Sequence, residues 1–169
     1  MKSIRILTVA ALIVLGYSVH SQSSNPGNTD IYTLEGVRIK SAGIVSGGCS
    51  LVVIFFNCDD SRSLGQLSEA NEEYESSLKG KNVKVVGICT GYSGNAESIR
   101  PLISGMRISF EVYVDRNCEL KRAMNIPELP FTLIAGPESE ICGYTGYCEN
   151  IQHLMAQATD NRNAALSKH

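Results

Sequence analysis

The sequence predicts an α/β fold, in which a mixed, mainly parallel sheet is flanked by helices on both faces. Two continuous runs of β-branched and aromatic residues, CSLVVIFF and NVKVVGIC, are typical of strands that are buried on both faces of a sheet. Segments with apolar residues at helical spacing separate these runs, so strands and helices alternate along the chain. The last two predicted strands have no helix between them, so we expect them to pair antiparallel through a turn at GPES.

The first half of the chain contains a hairpin, two strands and a helix. In DIYTLEGVRIKS, apolar and polar residues alternate around Glu35-Gly36, which predicts a small hairpin. The first buried strand covers residues 49–56, and the helix that follows is predicted over residues 62–81, with Gly80 as its C-terminal stop. One face of this helix is formed by Leu64, Leu67, Asn71, Tyr74 and Leu78.

The second half of the chain continues the alternation and ends in a helix. Pro101 lies inside one predicted helix, which it should kink or shift. The whole order is β-α-β-α-β-α-β-β-α behind the hairpin. The predicted elements are a strand at 82–89, a helix at 95–106, a strand at 110–115, a short helix at 117–125, strands at 131–136 and 139–146, and a helix at 149–159.

The N-terminus predicts export. Lys2 and Arg5 lead into the apolar run ILTVAALIVLG and then a stretch of small residues, which is the pattern of a secretory signal peptide cleaved after Ser21. The apolar run is shorter than the roughly 20 residues that a membrane-spanning helix needs. We therefore expect a periplasmic or secreted protein without a membrane span in its mature form, whose cysteines meet an oxidising compartment.

These signals divide the chain into a signal peptide at 1–21, a flexible leader at 22–29, one domain at 30–159 and a polar tail at 160–169. The chain has 15 Lys and Arg against 17 Asp and Glu, and residues 1–21 contain two of the cations and no acid. The mature charge is therefore 13 − 17 = −4. This mild acidity offers no basic patch for nucleic acid and no polybasic segment for a membrane surface.

Several segments resemble the exported thioredoxin-like thiol–disulfide oxidoreductases, in the subgroup of cytochrome-maturation and hydroperoxide-reductase-like proteins. The resemblance runs from about Asp30 to Ala158 and is carried by YTLEGVRIKSAGIVSGGCSLVVIFFN, VKVVGICT and YVDRNCELKRAMNIPELPFTLIAGPESEICGYTGY. Within it, MNIPELPFTLIAGP is similar to the family's short helix and the cis-proline that opens the next strand. The resemblance implies a thioredoxin-like sandwich, with Pro130 as that proline and Leu129 and Pro130 beside the substrate groove.

The family's Cys-x-x-Cys motif is not intact in this chain. In relatives the first thiol lies at a helix N-terminus, where the helix dipole favours the thiolate, and the second lies one turn on and resolves mixed disulfides. An alignment with gaps places Cys58 as the nucleophile and Ser61 at the resolving position, which gives Cys-x-x-Ser. An alignment without gaps places Asp60 and Ser63 at the two cysteine positions. Both alignments lack the resolving cysteine of the motif.

Two interpretations of Cys58 remain open. In the first, Cys58 is a single reactive thiol that forms mixed disulfides, and Ser61 is the N-cap of the helix, a position that serine favours. In the second, Cys58 is inert or structurally bonded. Asp59 and Asp60 favour the second interpretation, because carboxylates beside a thiol oppose its ionisation.

All six cysteines lie in the mature chain, and their pairing stays open. In thioredoxin-like sheets the strands that end at Cys58 and Cys89 are parallel neighbours, so the resemblance implies that this pair could form a bridge or a resolving couple. The alternative is that Cys89 is a small buried residue. A bridge from Cys142 to Cys148 needs a sharp bend, because six extended residues span roughly 20 Å and a disulfide tolerates only about 4.4–6.8 Å between Cα atoms.

The sequence predicts neither a metal site nor a cofactor. Its three histidines form no zinc-type cluster with the cysteines, and its glycines lack the pattern of a dinucleotide-binding turn. The resemblance implies at most monothiol exchange with a protein or a small thiol or disulfide, resolved by Cys89 or an external thiol. The alternative is a redox-inactive binding module that holds a peptide or protein in the groove beside Pro130. Whether the chain is an enzyme is left open between these two hypotheses.

Overall fold

The computed structural model describes residues 26–44, 48–91, 96–137 and 141–166. The predicted signal peptide and residues 22–25 of the predicted leader lie outside these ranges. The rest of the leader begins with a short 3₁₀ turn at Pro26–Asn28. Within the described part of the chain, no helix is both long and apolar enough to cross a bilayer.

The strands that the structure describes form one mixed sheet. Its order is β2-β1-β5-β4-β3-β6-β7, with parallel pairing confined to the three central strands β5, β4 and β3 and antiparallel pairing on either side of them. The hairpin and the antiparallel pairing of the last two strands are confirmed. The strands are β1 (Asp30–Thr33), β2 (Arg38–Lys40), β3 (Ser50–Phe56), β4 (Val83–Thr90), β5 (Glu111–Asp115), β6 (Phe131–Ala135) and β7 (Ile141–Thr145).

The helices follow the predicted order. They are α1 (Ser61–Glu73), α2 (Ala96–Gly105), α3 (Glu119–Ala123) and α4 (Ile151–Leu166). Helix α1 continues into a π-helical turn, Tyr74–Leu78, and Gly80 follows with φ +82°, a conformation that favours glycine after a helix. Helix α4 reaches Leu166 and so extends into the segment that was expected to be a polar tail.

The sheet has a buried core on each face, which explains why β3 reads as an unbroken apolar run. Its side chains alternate between the two faces, as the period of a strand requires. One core packs Val52, Ile54 and Phe56 against α1, α2 and α4. The other core packs the alternate residues of β3 against α3 and the segment around Ile44. Burying each such side chain contributes about 1.5–3 kcal/mol.

Helix α1 sits close to the centre of the sheet because β4 has a glycine beneath it. A Cβ atom at Gly87 would lie 3.3 Å from Leu67 Cδ1, Phe56 Cε1 and Val112 Cγ2. These contacts are tighter than ordinary van der Waals packing, so the glycine lets the helix and the neighbouring strands approach. The N-terminus of α1 is thereby held beside the carboxyl ends of β3 and β4.

The register of the central strands defines the edge at which a site can form. Phe56 in β3 is opposite Cys89 in β4, and Phe55 is opposite Phe131 in β6. Cys58, which follows β3, and Pro130, which precedes β6, therefore lie at the same edge of the sheet as Cys89. Ligands and catalytic groups of open α/β sheets gather at this carboxyl edge of the parallel strands.

Candidate thiol site

The structure brings the thiols of Cys58 and Cys89 together. Their side chains lie close enough for each to act on the pKa of the other, and both are free thiols. Cys89 is fully buried at the end of β4, whereas Cys58 is only partly buried. The pair thus has one sulfur that solvent reaches and one that the fold shields.

A turn stabilised by Asn57 carries the chain from β3 to the helix. The Asp59 N–H donates to Asn57 Oδ1 at 2.9 Å, and the Asp60 N–H donates to the Asn57 carbonyl at 3.3 Å. Asparagine favours this conformation because its side chain mimics a backbone turn. Cys58 lies inside the turn, two residues before the helix cap, and its position is therefore set by the turn rather than by the helix.

The N-cap of α1 is Asp60, so the prediction that Ser61 is the N-cap is wrong. Asp60 has an extended backbone, and its carboxylate accepts hydrogen bonds from the Ser63 N–H at 2.8 Å and the Arg62 N–H at 3.4 Å. Ser61 is the exposed first residue of the helix. The buried Ser63 side chain lies beside the Asp60 carboxylate and, together with the backbone amides, lowers the pKa of Asp60.

Neither thiol of the pair has an environment that favours ionisation. Burial raises the pKa of Cys58, and the charge of Asp59 raises it further, while the hydrogen bond with Cys89 opposes both effects. Burial is also the main cause that raises the pKa of Cys89, well above its ordinary value, and the neighbouring Cys58 adds to it. The helix amides that could stabilise a thiolate are instead occupied by Asp60.

Pro130 immediately precedes β6, which pairs with β3, on the side of β3 opposite to β4. The Leu129-Pro130 peptide bond is cis, as the resemblance implies. Pro130 is buried and Leu129 is partly exposed beside it. A Cβ atom at Gly146 would lie 3.6 Å from Glu128 Oε1 and 3.9 Å from the Pro130 carbonyl oxygen, so the segment after β7 runs along this proline.

That segment is fixed to α1 by buried hydrogen bonds. Gln66 is fully buried and donates from Nε2 to the Cys148 carbonyl at 2.8 Å, while the Cys148 N–H donates back to Gln66 Oε1. Two turns further along α1, the Glu73 carboxylate accepts the N–H groups of Ile151 and Gln152 at 2.7 and 2.8 Å and thereby caps α4. The segment after β7, which runs beside Pro130, is therefore held firmly against α1, the helix that begins at the thiol site.

Tyr147, which belongs to the same segment, lies over the exposed side of α1. Its ring lies 5.6 Å from the Arg62 guanidinium carbon, and a hydrogen bond with Glu69 is the main cause that raises the pKa of its hydroxyl. A Cβ atom at Gly65 would lie 3.9 Å from that hydroxyl. Sequence reasoning missed Tyr147 and Gln66 as parts of the site, because their partners are distant in the chain and no local pattern marks them.

Among the cysteines whose side chains the structure describes, no third thiol acts on the pKa of Cys58 or Cys89. Cys148 is a buried free thiol, and burial raises its pKa. The side chain of Cys142 is outside the described part of the structure, so a bridge between Cys142 and Cys148 stays a prediction. Among the described residues, no group of three or more His, Cys, Asp and Glu could hold a metal ion.

Solved structures of several bacterial proteins have a similar fold. An uncharacterized thioredoxin-like protein from Porphyromonas gingivalis has a TM-score of 0.65 and 20% sequence identity, over 79% of this chain and 89% of that chain. A secreted Mycobacterium tuberculosis disulfide oxidoreductase, homologous to E. coli DsbE, has a TM-score of 0.61 and 14% identity, over 80% and 97% of the two chains. StoA from Bacillus subtilis has a TM-score of 0.62 and 19% identity, over 79% and 97%.

These similarities establish a thioredoxin-like fold. The sequence matches no protein-family model and no curated protein sequence. The predicted thioredoxin-like sandwich is therefore confirmed by structure, whereas the activity must be argued from the site itself.

Proposed function

We propose that this chain is an exported thiol–disulfide exchange protein of the thioredoxin fold, in which Cys58 exchanges with the partner and Cys89 resolves the product. The observation that supports the proposal is the proximity of the two thiols at the carboxyl edge of the sheet, which follows from the register of β3 and β4 and from the effect of each thiol on the pKa of the other. Export rests on the predicted signal peptide. The partner is a protein or a small molecule that carries a disulfide, held in the groove beside Leu129 and Pro130.

The reaction balances as a two-electron exchange. The Cys58 thiol loses its proton to solvent, and its sulfur attacks one sulfur of the partner disulfide, whose other sulfur leaves as a thiolate and takes up a proton. Cys89 then loses its proton and attacks the Cys58 sulfur, which breaks the mixed disulfide and releases the second partner thiol. The partner is reduced and the Cys58–Cys89 pair is oxidised to a disulfide. An exported dithiol reductant must reduce this pair before the next cycle.

Ser61 does not take the place of a resolving thiol in this scheme. It is exposed at the start of α1, whereas Cys89 lies beside Cys58. The geometry at Asp60 and Ser63 favours the alignment without gaps, since these two residues are the N-cap and the third residue of the helix. On that alignment the lost motif lies at 60–63, and the Cys58–Cys89 pair is a separate couple next to it.

A second candidate is a redox-inactive module that binds a peptide or protein in the same groove. The observation that favours it is the electrostatic environment of the thiols. Burial raises the pKa of both Cys58 and Cys89, and Asp60 rather than a thiolate accepts from the amides of the helix N-terminus. A module of this kind would use the Pro130 edge and would need no thiol chemistry.

Exposing the reduced protein and its variants to oxidised glutathione separates the two candidates. We expect the unmodified protein to lose two thiols, which peptide mapping assigns to Cys58 and Cys89. The Cys89→Ala variant should instead accumulate a stable glutathione adduct on Cys58. Cys118→Ser is the control, because Cys118 is at the start of α3 and outside the pair.

The thiol chemistry is refuted if Cys89→Ala forms no adduct at Cys58 over hours at mildly alkaline pH. In that case, binding of an unfolded peptide by Cys58→Ser with undiminished affinity would establish the second candidate. Adduct formation at Cys58 in Cys89→Ala, together with loss of the two-thiol oxidation in Cys58→Ser, would establish the first.

A further inference from the structure

Asn57 links the two loops that carry the thiols. It follows β3 directly and precedes Cys58, and its side chain is partly buried at the carboxyl edge of the sheet. A Cβ atom at Gly91, the residue that follows β4, would lie 3.8 Å from Asn57 Nδ2. The side-chain amide of Asn57 therefore lies beside the loop that follows Cys89, while its backbone leads into Cys58.

The same residue fixes the turn on the Cys58 side. Asn57 Oδ1 accepts the N–H of Asp59 at 2.9 Å, and the Asn57 carbonyl accepts the N–H of Asp60 at 3.3 Å. These two hydrogen bonds span Cys58, so they fix the backbone from which its side chain projects. The side-chain oxygen of Asn57 thus holds one loop of the site, and its side-chain nitrogen lies beside the other.

An independent set of hydrogen bonds holds the end of β4 at Cys89. Thr90, the next residue, is fully buried, and its hydroxyl donates to Asp115 Oδ2 at 3.3 Å. The Asp115 carboxylate, which is also buried, accepts the N–H groups of Leu120 and Lys121 at 3.2 and 2.9 Å. The end of β4 is therefore anchored to β5 and α3, and the separation of the two thiols depends on the turn after β3.

We propose that Asn57 positions Cys58 for attack by Cys89 and so controls the resolving step of the exchange. The inference rests on the proposed function and assigns a positioning residue to the same site. A disulfide forms only when its two Cα atoms are about 4.4–6.8 Å apart and its two Cβ atoms about 3.5–4.5 Å apart. A small shift of the turn that carries Cys58 would therefore take the pair out of this range.

Asn57 should affect the two steps of the exchange unequally. In the first step Cys58 attacks a partner that is free to approach in the orientation that the thiol offers, so the exact position of the turn matters little. In the second step the Cys89 thiol loses its proton, its sulfur bonds to the Cys58 sulfur, and the partner thiolate leaves and takes up a proton. Both reacting sulfurs then belong to the fold, so the rate depends on how the turn holds Cys58.

Reaction with oxidised glutathione measures the two steps separately. The first is the rate of adduct formation on Cys58 in a Cys89→Ala background, with and without Asn57→Leu. The second is the rate at which the adduct converts to the Cys58–Cys89 disulfide when Cys89 is present. The first rate depends on the concentration of oxidised glutathione and the second does not, so peptide mapping of acid-quenched samples at several concentrations gives both.

We expect Asn57→Leu to form the adduct at a nearly unchanged rate and to resolve it about tenfold more slowly, since a misplacement of about 1 Å can cost about 10²-fold. The adduct should therefore accumulate in this variant. Asn57→Ser should resolve at an intermediate rate, because a serine hydroxyl forms the same turn more weakly. Asn117→Leu is the matched control, since Asn117 is exposed between β5 and α3, and it should leave both rates unchanged.

Resolution in Asn57→Leu as fast as in the unmodified protein would overturn the inference and leave the exchange activity intact. Equal slowing of both steps would also overturn it, because that is the result of a purely structural role. If thermal melting shows that Asn57→Leu does not fold, the resolving rate of Asn57→Ser is the test, and an unchanged rate would overturn the inference. No Cys58–Cys89 disulfide in the unmodified protein would overturn the proposed function, and this inference with it.

Discussion

The thiol of Cys58 lies beside the thiol of Cys89 at the ends of two neighbouring parallel strands, where each acts on the pKa of the other. The pairing of Phe56 with Cys89 explains this proximity, because the turn after β3 brings Cys58 back over the end of β4. Cys58 is partly open to solvent and Cys89 is fully shielded. Of the two sulfur atoms, only that of Cys58 can therefore react directly with a partner.

The first prediction concerns the reactivity of Cys58 toward iodoacetamide. Cys58 in the reduced protein should be alkylated slowly near neutral pH. Its alkylation rate should keep rising as the pH passes the ordinary pKa of a thiol, because burial and Asp59 raise the pKa of Cys58. Asp59→Asn should increase the rate at neutral pH. The increase should stay below tenfold, since tenfold needs a full pKa unit and burial is the larger cause. A decrease in the rate, or an equal change in the control Glu72→Gln, whose side chain is exposed in the last turn of α1, would contradict this account.

The second prediction tests which residues occupy the lost motif. The double variant Asp60→Cys with Ser63→Cys should gain dithiol activity in an insulin-reduction assay, because the side chains at these positions lie beside each other in the first turn of α1. Ser61→Cys should gain little, since Ser61 is exposed at the start of the helix. The reverse order of the two activities would show that the alignment with gaps is correct. The assay is run in a Cys89→Ala background, so that the native pair does not contribute.

The third prediction is that Asp60 makes stability depend on acid pH. The pKa of Asp60 is lowered in the folded state, so its contribution is complete above the ordinary value of 3.8 and is lost as the pH falls through the lower folded value. Asp60→Ala should therefore melt at a lower temperature than the unmodified protein near neutral pH. In strong acid the melting temperatures of the two proteins should converge. Asp60→Asn is the matched variant, because asparagine also caps helices. If the melting temperatures of Asp60→Ala and the unmodified protein differed by the same amount at every pH, the pH-dependent contribution would not come from Asp60.

The fourth prediction concerns the link between α1 and the segment beside Pro130. Gln66→Leu should lower the free energy of unfolding by about 1–3 kcal/mol, because it leaves the buried N–H and carbonyl of Cys148 without partners. The measurement is urea denaturation. Gln152→Leu is the control, since this glutamine is exposed on α4. If Gln66→Leu and Gln152→Leu had the same free energy of unfolding, the hydrogen bonds of Gln66 would contribute nothing to stability.

Much of the fold could be predicted from local patterns. The run LVVIFF predicts a doubly buried strand because every side chain of β3 from Leu51 onward packs into one of two cores. The helical spacing of Leu67 and Leu78 predicts the buried face of α1 and the turn after it. The end of α4 was predicted too early, because the helix continues beyond Thr159 to Leu166.

The candidate site could be predicted only in part. The resemblance placed Cys58, Cys89 and Pro130 at one edge, and the register of β3, β4 and β6 agrees with that placement. The N-cap was assigned to Ser61 instead of Asp60, because both residue types cap helices and the choice depends on which one has an extended backbone in the folded chain.

The sequence by itself determined which segments are strands and helices, because burial on one or both faces leaves a periodic pattern in consecutive residues. It also determined that no second cysteine follows Cys58 within a turn of helix. Only the tertiary structure decided that Cys89 lies beside Cys58, that Gln66 holds Cys148 and that Tyr147 covers Arg62. These contacts join residues that are far apart in the chain, and they exist because strand register and helix packing bring their backbones together, which no local pattern encodes.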